Sequence, residues 1–143
     1  VRAIRPCHDL PPSGIDSLEE QLYEHNRDAT GHQDGRGLAF EAVDSADARI
    51  AAIAGYSWAG MAEIRQLWVD KAHRSLGLGR ALVEAAVAEA VTRGCRLVWV
   101  ATHSFQAPWL YEKCGFLRVA DLPDWPPGHS KIFLHRRLAT PVS

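Results

Sequence analysis

At 143 residues, 47% hydrophobic and 23% charged, the chain has the size and makeup of one globular domain, expected over residues 1–143. Its formal net charge of −1 excludes broad nucleic-acid binding, which needs a basic surface to displace counterions from phosphates. No apolar run reaches the about 18 residues that span a bilayer, and no charged start leads into an apolar leader, so a cytoplasmic protein without a membrane partner is expected.

Cys7, Cys95 and Cys114 lie far apart without CxxC or Cys/His spacing, which predicts free thiols. The seven histidines form no HExxH-like pair, and no metal is expected.

In chain order, Ile15, Leu18, Leu22 and Ala29 recur at helical spacing, with Ser17 and Glu20 placed as a capping box and Gly31 as a stop. The polar, glycine-rich stretch from Gly31 to Gly37 reads as a loop. Three strand-like runs follow, Leu38 to Val43, Arg49 to Trp58 and Met61 to Val69, joined by connections short enough to make an antiparallel meander. From Leu78 to Arg93 the pattern is that of a long, largely buried helix, with Arg80/Glu84 and Glu89/Arg93 at i,i+4 and Gly94 placed to end it. Arg96 to Ala101 is near-continuously apolar, as in a central strand, and a strand–helix–strand unit crosses over into parallel pairing. A short helix from Ala107 to Lys113, a strand from Phe116, a Pro-rich loop and a last strand from Ile132 to Leu138 complete an α+β domain.

The junction between Val69 and Leu78 carries Arg74, Gly77 and Gly79 in the spacing R-x-x-G-x-G. A helix N-terminus presents about four unpaired N–H groups and roughly half a positive charge, and glycines let backbone wrap a phosphate closely. A P-loop would need a lysine and a hydroxyl that Gly79-Arg80-Ala81 does not supply. A dinucleotide fold would need a third glycine and an acid after the next strand; Leu82 and the neutral stretch Val98 to Ala101 provide neither. A helix cap with no ligand remains the other reading of the loop taken alone.

The segment AEIRQLWVDKAHRSLGLGRALVEAAV and the later block THSFQAPWLYEKCGF, in that order, resemble the GNAT superfamily of N-acetyltransferases from about Leu38 to Leu138, as a small, single-domain, bacterial-type member. The first block looks like the family's fourth strand and cofactor loop, the second like its later strand-to-helix segment. The resemblance implies a mixed, mostly antiparallel sheet splayed between strands 4 and 5 and flanked by helices, with the pantetheine arm of CoA in the wedge. By position, the backbones of Leu67, Trp68 and Val69 would pair with the pantetheine amides. The N–H groups of Arg74, Ser75, Leu76, Gly77, Leu78, Gly79 and Arg80 would hold the pyrophosphate, and Ser104, Ala107 and Tyr111 would line the far wall. Ser104 stands where many members carry Asn, and Cys114 where an aliphatic residue is more usual.

The implied activity is acyl transfer from acetyl-CoA to a primary amine, with acetyl-CoA and an amine acceptor as partners and a homodimer as the expected assembly. The alternative is a catalytically silent acyl-CoA-binding or protein-interaction module on the same fold. A lysine-like amine with pKa about 10.4 is mostly protonated at neutral pH, so a base is useful. Glu63 falls where histone acetyltransferases of the superfamily carry a catalytic glutamate; a solvated edge-strand glutamate is the other reading. His103 is the reserve base, because an ordinary imidazole titrates near pH 6.5. Tyr111 matches a tyrosine placed beside the thioester sulfur, where it would protonate the leaving thiolate; it could instead be a packing residue. The N–H of Val69 would polarise the acyl carbonyl. For the acceptor, Trp58, Trp109 and Trp125 with the loop Asp121 to His129 form either an aromatic wall or ordinary packing.

Overall fold

The computed structural model describes residues 2–139, and the chain divides between Gln33 and Asp34 into two compact units. Helix α1 (Pro12–Thr30) makes up most of the first. It begins five residues before the capping box expected at Ser17 and Glu20, both of which lie inside it. Pro12 supplies the start instead, since its fixed φ suits the first helical turn and its missing N–H would go unpaired there anyway. The stop is as expected: Gly31 is left-handed at φ 78°, and its N–H reaches Arg27 O at 2.7 Å.

The second unit is a six-stranded sheet built from β1 (Arg36–Val43), β2 (Arg49–Trp58), β3 (Met61–Val69), β4 (Leu97–His103), β5 (Leu117–Pro123) and β6 (Ser130–Arg137) in the order β1-β2-β3-β4-β6-β5. Only β3 and β4 pair in parallel, because α2 (Leu78–Thr92) makes the crossover between them. A short helix, α3 (Pro108–Lys113), follows β4. The α+β architecture with a mostly antiparallel sheet is therefore the one expected. The family's additional first strand is not found among the described residues, so its fourth and fifth strands are β3 and β4 here. No helix among the described residues is long and apolar enough to cross a membrane.

Helix α2 buries one stripe, Leu82, Val83, Ala86, Val87 and Ala90, against β1, β2 and β3; its other residues are half-buried or exposed, so it is less buried than its composition implied. Of its expected ion pairs, Glu89–Arg93 forms at 3.1 Å, whereas Glu84 pairs with Arg136 of β6 at 3.6 Å rather than with Arg80. Arg93 also donates to Ser57 Oγ at 3.0 Å and to the carbonyls of Arg36 and Gly37 at 3.3 and 3.0 Å. One guanidinium thus ties the end of α2 to the first two strands. The core side of the sheet is completed by Ile53, Val98, Phe116, Ile132 and Leu134, all nearly inaccessible.

The feature that shapes the site is a bulge in β3. Ala54 faces Gln66 and Gly55 faces Ile64, leaving Arg65 as the extra residue. Before it, Ala62 and Ile64 point into the core; after it, Leu67 and Val69 do. An extra residue in one strand bends it and shifts its side-chain alternation, which accounts for both changes. The backbone there passes so close to β2 that a Cβ on Gly55 would meet Glu63 O at 1.9 Å and Ile64 Cα at 3.2 Å. The parallel ladder of β3 with β4 ends at Ile64 and Val100, where the bulge begins. Gly55→Ala should therefore cost at least about 3 kcal/mol, the upper end of overpacking effects. Gly37→Ala, which meets nothing within 4 Å, should shift stability by no more than about 0.5 kcal/mol; urea unfolding of the two variants checks the contrast.

Candidate active site

Beyond Ile64 and Val100 the two central strands separate, so residues 65–69 of β3 have no ladder partner on β4. Leu67 and Val69 pack partly into the core, while Trp68 is 48% exposed on the opposite face. The three expected pantetheine contacts thus lie on the free edge of an opened strand pair. Such an edge presents backbone N–H and C=O groups spaced for an extended amide-bearing ligand.

At the top of this edge the chain turns into the loop. The Asp70 carboxylate accepts from Ala72 N–H at 3.2 Å and bonds His73 Nδ1 at 2.8 Å. The His73 hydrogen bond holds the Asp70 carboxyl below the usual carboxylate range. Sequence reasoning missed this brace, although Asp and His three residues apart at a short helical turn are its signal. Ser75 and Gly77 are both left-handed, at φ 65° and 81°, which makes neighbouring N–H groups converge as in anion-binding nests. Gly77 caps α2, and the first bond of that helix runs from Ala81 N to Gly77 O at 3.0 Å. The N–H groups of Leu78, Gly79 and Arg80 therefore precede any intrahelical bond. No atom lies within 4 Å of a Cβ built on Gly77, so the cradle is open. These groups fit a pyrophosphate. The Arg74 side chain donates through Nε to Val69 O at 3.2 Å, which places its charge where strand and loop meet, beside the N–H groups expected to hold the pyrophosphate.

The residues expected on the opposite wall lie at the end of β4 and on α3. Ser104 continues the ladder to β6: its N–H reaches Ser130 O at 2.8 Å and its hydroxyl accepts from Ser130 N at 3.0 Å. Gln106, absent from the expected site, closes the end of β4, accepting with Oε1 from Thr102 Oγ1 at 3.0 Å and His103 N at 2.7 Å. Ala107 caps α3. Tyr111 is 5% exposed and packs edge-on against Phe116 at 5.7 Å. Burial pushes its phenol from the ordinary 10.0 up to about 12, so the hydroxyl keeps its proton throughout the neutral range. Cys114 is buried as core, and burial pushes its thiol up as well, the reverse of what activates a nucleophile.

On the sheet face away from α2, Glu63 pairs with Arg65 at 3.2 Å, and the Arg65 guanidinium lies 5.3 Å from the centre of the Tyr56 ring. Of the two readings of the tryptophans, the contacts of Trp109 and Trp125 fit separate packing rather than one shared wall. Trp109 meets Lys113, whereas Trp125 meets His103 and Lys131, because the two project from separate elements. What forms instead is a cluster at the end of β4: His103 stacks on Phe105 at 5.1 Å, Phe105 meets His129 at 5.1 Å, and Trp125 stands edge-on to His103 at 5.8 Å.

An opened strand pair leading to a glycine nest at a helix start is the arrangement of a known family, and a family model described as the acetyltransferase (GNAT) family matches residues 5–116. The chain belongs to that family. GNAT acetyltransferases draw their acyl group from acetyl-CoA, which the open edge and nest fit. Blasticidin-S acetyltransferase of Streptomyces morookaense is 41% identical over 73 residues, 50% of this chain; the match spans about half, 54%, of that protein. Acetyltransferase Atu2258 of Agrobacterium fabrum is 26% identical over 121 residues, covering 85% of this chain and 88% of its own. An acetyltransferase crystal structure from Bacillus cereus superposes with a TM-score of 0.79 at 24% identity, over 94% of this chain and 98% of that one, which shows the GNAT fold.

Two outcomes follow for this GNAT site. Gly77→Val forces a β-branched residue into a left-handed conformation and should weaken acetyl-CoA binding more than tenfold by titration calorimetry, with the circular dichroism of the fold retained. For Tyr111 the folded pKa lies above the ordinary one, so its stabilising contribution is complete below pH 10 and is lost as pH rises through about 12. Tyr111→Phe should flatten the fall of Tm across that interval.

Proposed function

We propose that this GNAT protein transfers acetyl from acetyl-CoA directly to a primary amine of a small molecule, with Tyr111 as the hydrogen donor to the departing sulfur. The observation that carries the reading is the opened β3 edge leading to the glycine nest, and α3 adds a near-buried phenol that keeps its proton. In the reading, backbone groups of Leu67, Trp68 and Val69 align the pantetheine arm, and the nest from Arg74 to Arg80 anchors the diphosphate. Val69 N–H polarises the acyl carbonyl.

A phenol near 12 gives up its proton to a thiolate, ordinarily about 8.5, only uphill. Tyr111 therefore acts first by hydrogen-bonding to the charge that develops on sulfur. The proton that ends on sulfur comes from the amine nitrogen, which becomes strongly acidic once it has formed its new C–N bond. Glu63, held by Arg65, steers the acceptor in this scheme without contacting the reacting nitrogen. The 41% identity with a blasticidin-S acetyltransferase makes blasticidin S the first acceptor to test, followed by other amine antibiotics, polyamines and peptides.

The purified protein should release free CoA thiol from acetyl-CoA only when an amine is present. Binding of acetyl-CoA with no turnover across that panel would instead favour a silent acyl-CoA-binding module. Tyr111→Phe preserves the ring against Phe116 and should lower kcat about 10²- to 10³-fold, the usual range for removing one hydrogen-bond donor to developing charge, with acetyl-CoA affinity unchanged. Full kcat in that variant, with chemistry rate-limiting, would remove Tyr111 from the mechanism.

A further inference from the structure

We propose that His103, through Nε2, is the general base that neutralises the acceptor amine, held for that task by a backbone bond from its other ring nitrogen. The proposal rests on the acetyltransferase reading above and deepens it.

His103 Nδ1 lies 3.2 Å from Trp125 O. A carbonyl oxygen only accepts, so Nδ1 carries the hydrogen of the neutral ring and Nε2 is left with the free lone pair. The ring is held from two further sides, stacked on Phe105 at an interplanar angle of 12° and edge-on to Trp125 at 86°. Trp125 itself is anchored by a tight loop in which its N–H reaches His129 O at 3.1 Å and His129 N–H reaches Pro126 O at 2.9 Å. The Gln106 side chain fixes the backbone of His103. A base must present a lone pair in a defined direction before substrate arrives, and these contacts provide that.

Position favours His103 over Glu63. Strand β4 alternates, with Val98, Val100 and Thr102 buried and Trp99, Ala101 and His103 half-buried on the other face. Glu63 lies on β3 opposite Trp99, where the two strands are still paired, and its carboxylate is engaged by Arg65. His103 lies past Val100, beyond the last parallel pair, so it borders the opening. Four residues separate it from Trp99, about 13 Å along a strand, too far for both groups to reach one amine nitrogen directly. The other titratable groups around the cluster are Lys131, across the ladder on β6 with Nζ over the Trp125 ring, and His129, against Phe105.

In the step assigned to it, Nε2 takes one proton from the acceptor ammonium and releases it to solvent after turnover. The freed lone pair forms the C–N bond, the C–S bond breaks, and a second nitrogen proton ends on sulfur, giving the amide and free CoA thiol.

The test has two arms. Ring nitrogen NMR of the free protein at alkaline pH should show His103 as the Nδ1–H form; an Nε2–H form would overturn the proposal without any assay of turnover. In the second arm, His103→Asn keeps a donor able to reach Trp125 O but has no base. Its kcat/KM should fall at least about 10²-fold at neutral pH, recover as pH rises toward the acceptor's own pKa, and lose the low-pH inflection of the unsubstituted protein. Acetyl-CoA affinity should stay within about twofold. Glu63→Gln, His129→Gln and Lys131→Met should each retain the inflection. A uniform loss at every pH in His103→Asn, or disappearance of the inflection in one of the other three, overturns the assignment. Failure of the parent reading looks different, since the unsubstituted protein would then release no thiol with any amine.

Discussion

The close approach of β3 to Gly55 is the constraint on which the site depends. Only a residue without a Cβ lets the backbone of Glu63 and Ile64 sit where it does, and only there can Arg65 enter as an extra residue. The bulge then shifts which side chains of β3 face the core, bends the strand, and ends its ladder with β4. Several kcal/mol of hydrogen bonding would be available if that ladder continued, at about 1 kcal/mol net for each bond. The fold forgoes those bonds and leaves an edge that an amide-bearing chain can complete. A ligand taken up there acts as the missing strand.

The two sides of the opening are held by different means. The β3 side is fixed by packing: Leu67 and Val69 lie against the core that α2 covers, so the helix that buries the stripe also offers its unpaired N–H groups to the loop. The β4 side is fixed by polar closure, with Gln106 and Ser104 satisfying the strand end. On α3 the phenol of Tyr111 is buried; burial pushes its pKa up, and the neighbouring Cys114 acts in the same direction. This combination suits transfer between two uncharged groups.

Much of this was legible in the sequence. Strands β2 and β3 begin and end at the expected residues, and α2 differs only at its last residue, because turn residues and glycines delimit them sharply. The loop was readable too, since Gly77 must adopt a left-handed conformation. The bulge was not. Gly55 sits in a strand of ordinary alternation, and nothing local announces that another strand's carbonyl will press against it. The clamp by Arg93 was half visible as an i,i+4 pair, while its bonds to Arg36, Gly37 and Ser57 depend on residues some 36 to 57 positions away. The start of α1 was misread because Ser17 and Glu20 have capping chemistry, yet Pro12 already sets the turn.

Strand β5 has a consequence of another kind. All seven of its residues are exposed, Leu117, Val119 and Leu122 among them, and it pairs on one side only. A bare, apolar sheet edge is a template for uncontrolled strand addition between molecules. Here the register slips between Arg118 and Ala120, Arg118 carries its charge outward to Glu112, and Pro123 ends the strand without an N–H to offer. An irregular, charged and proline-terminated edge is a poor template for such addition, so the strand that exposes the most apolar side chain is also the one built least like a flat, continuous ladder.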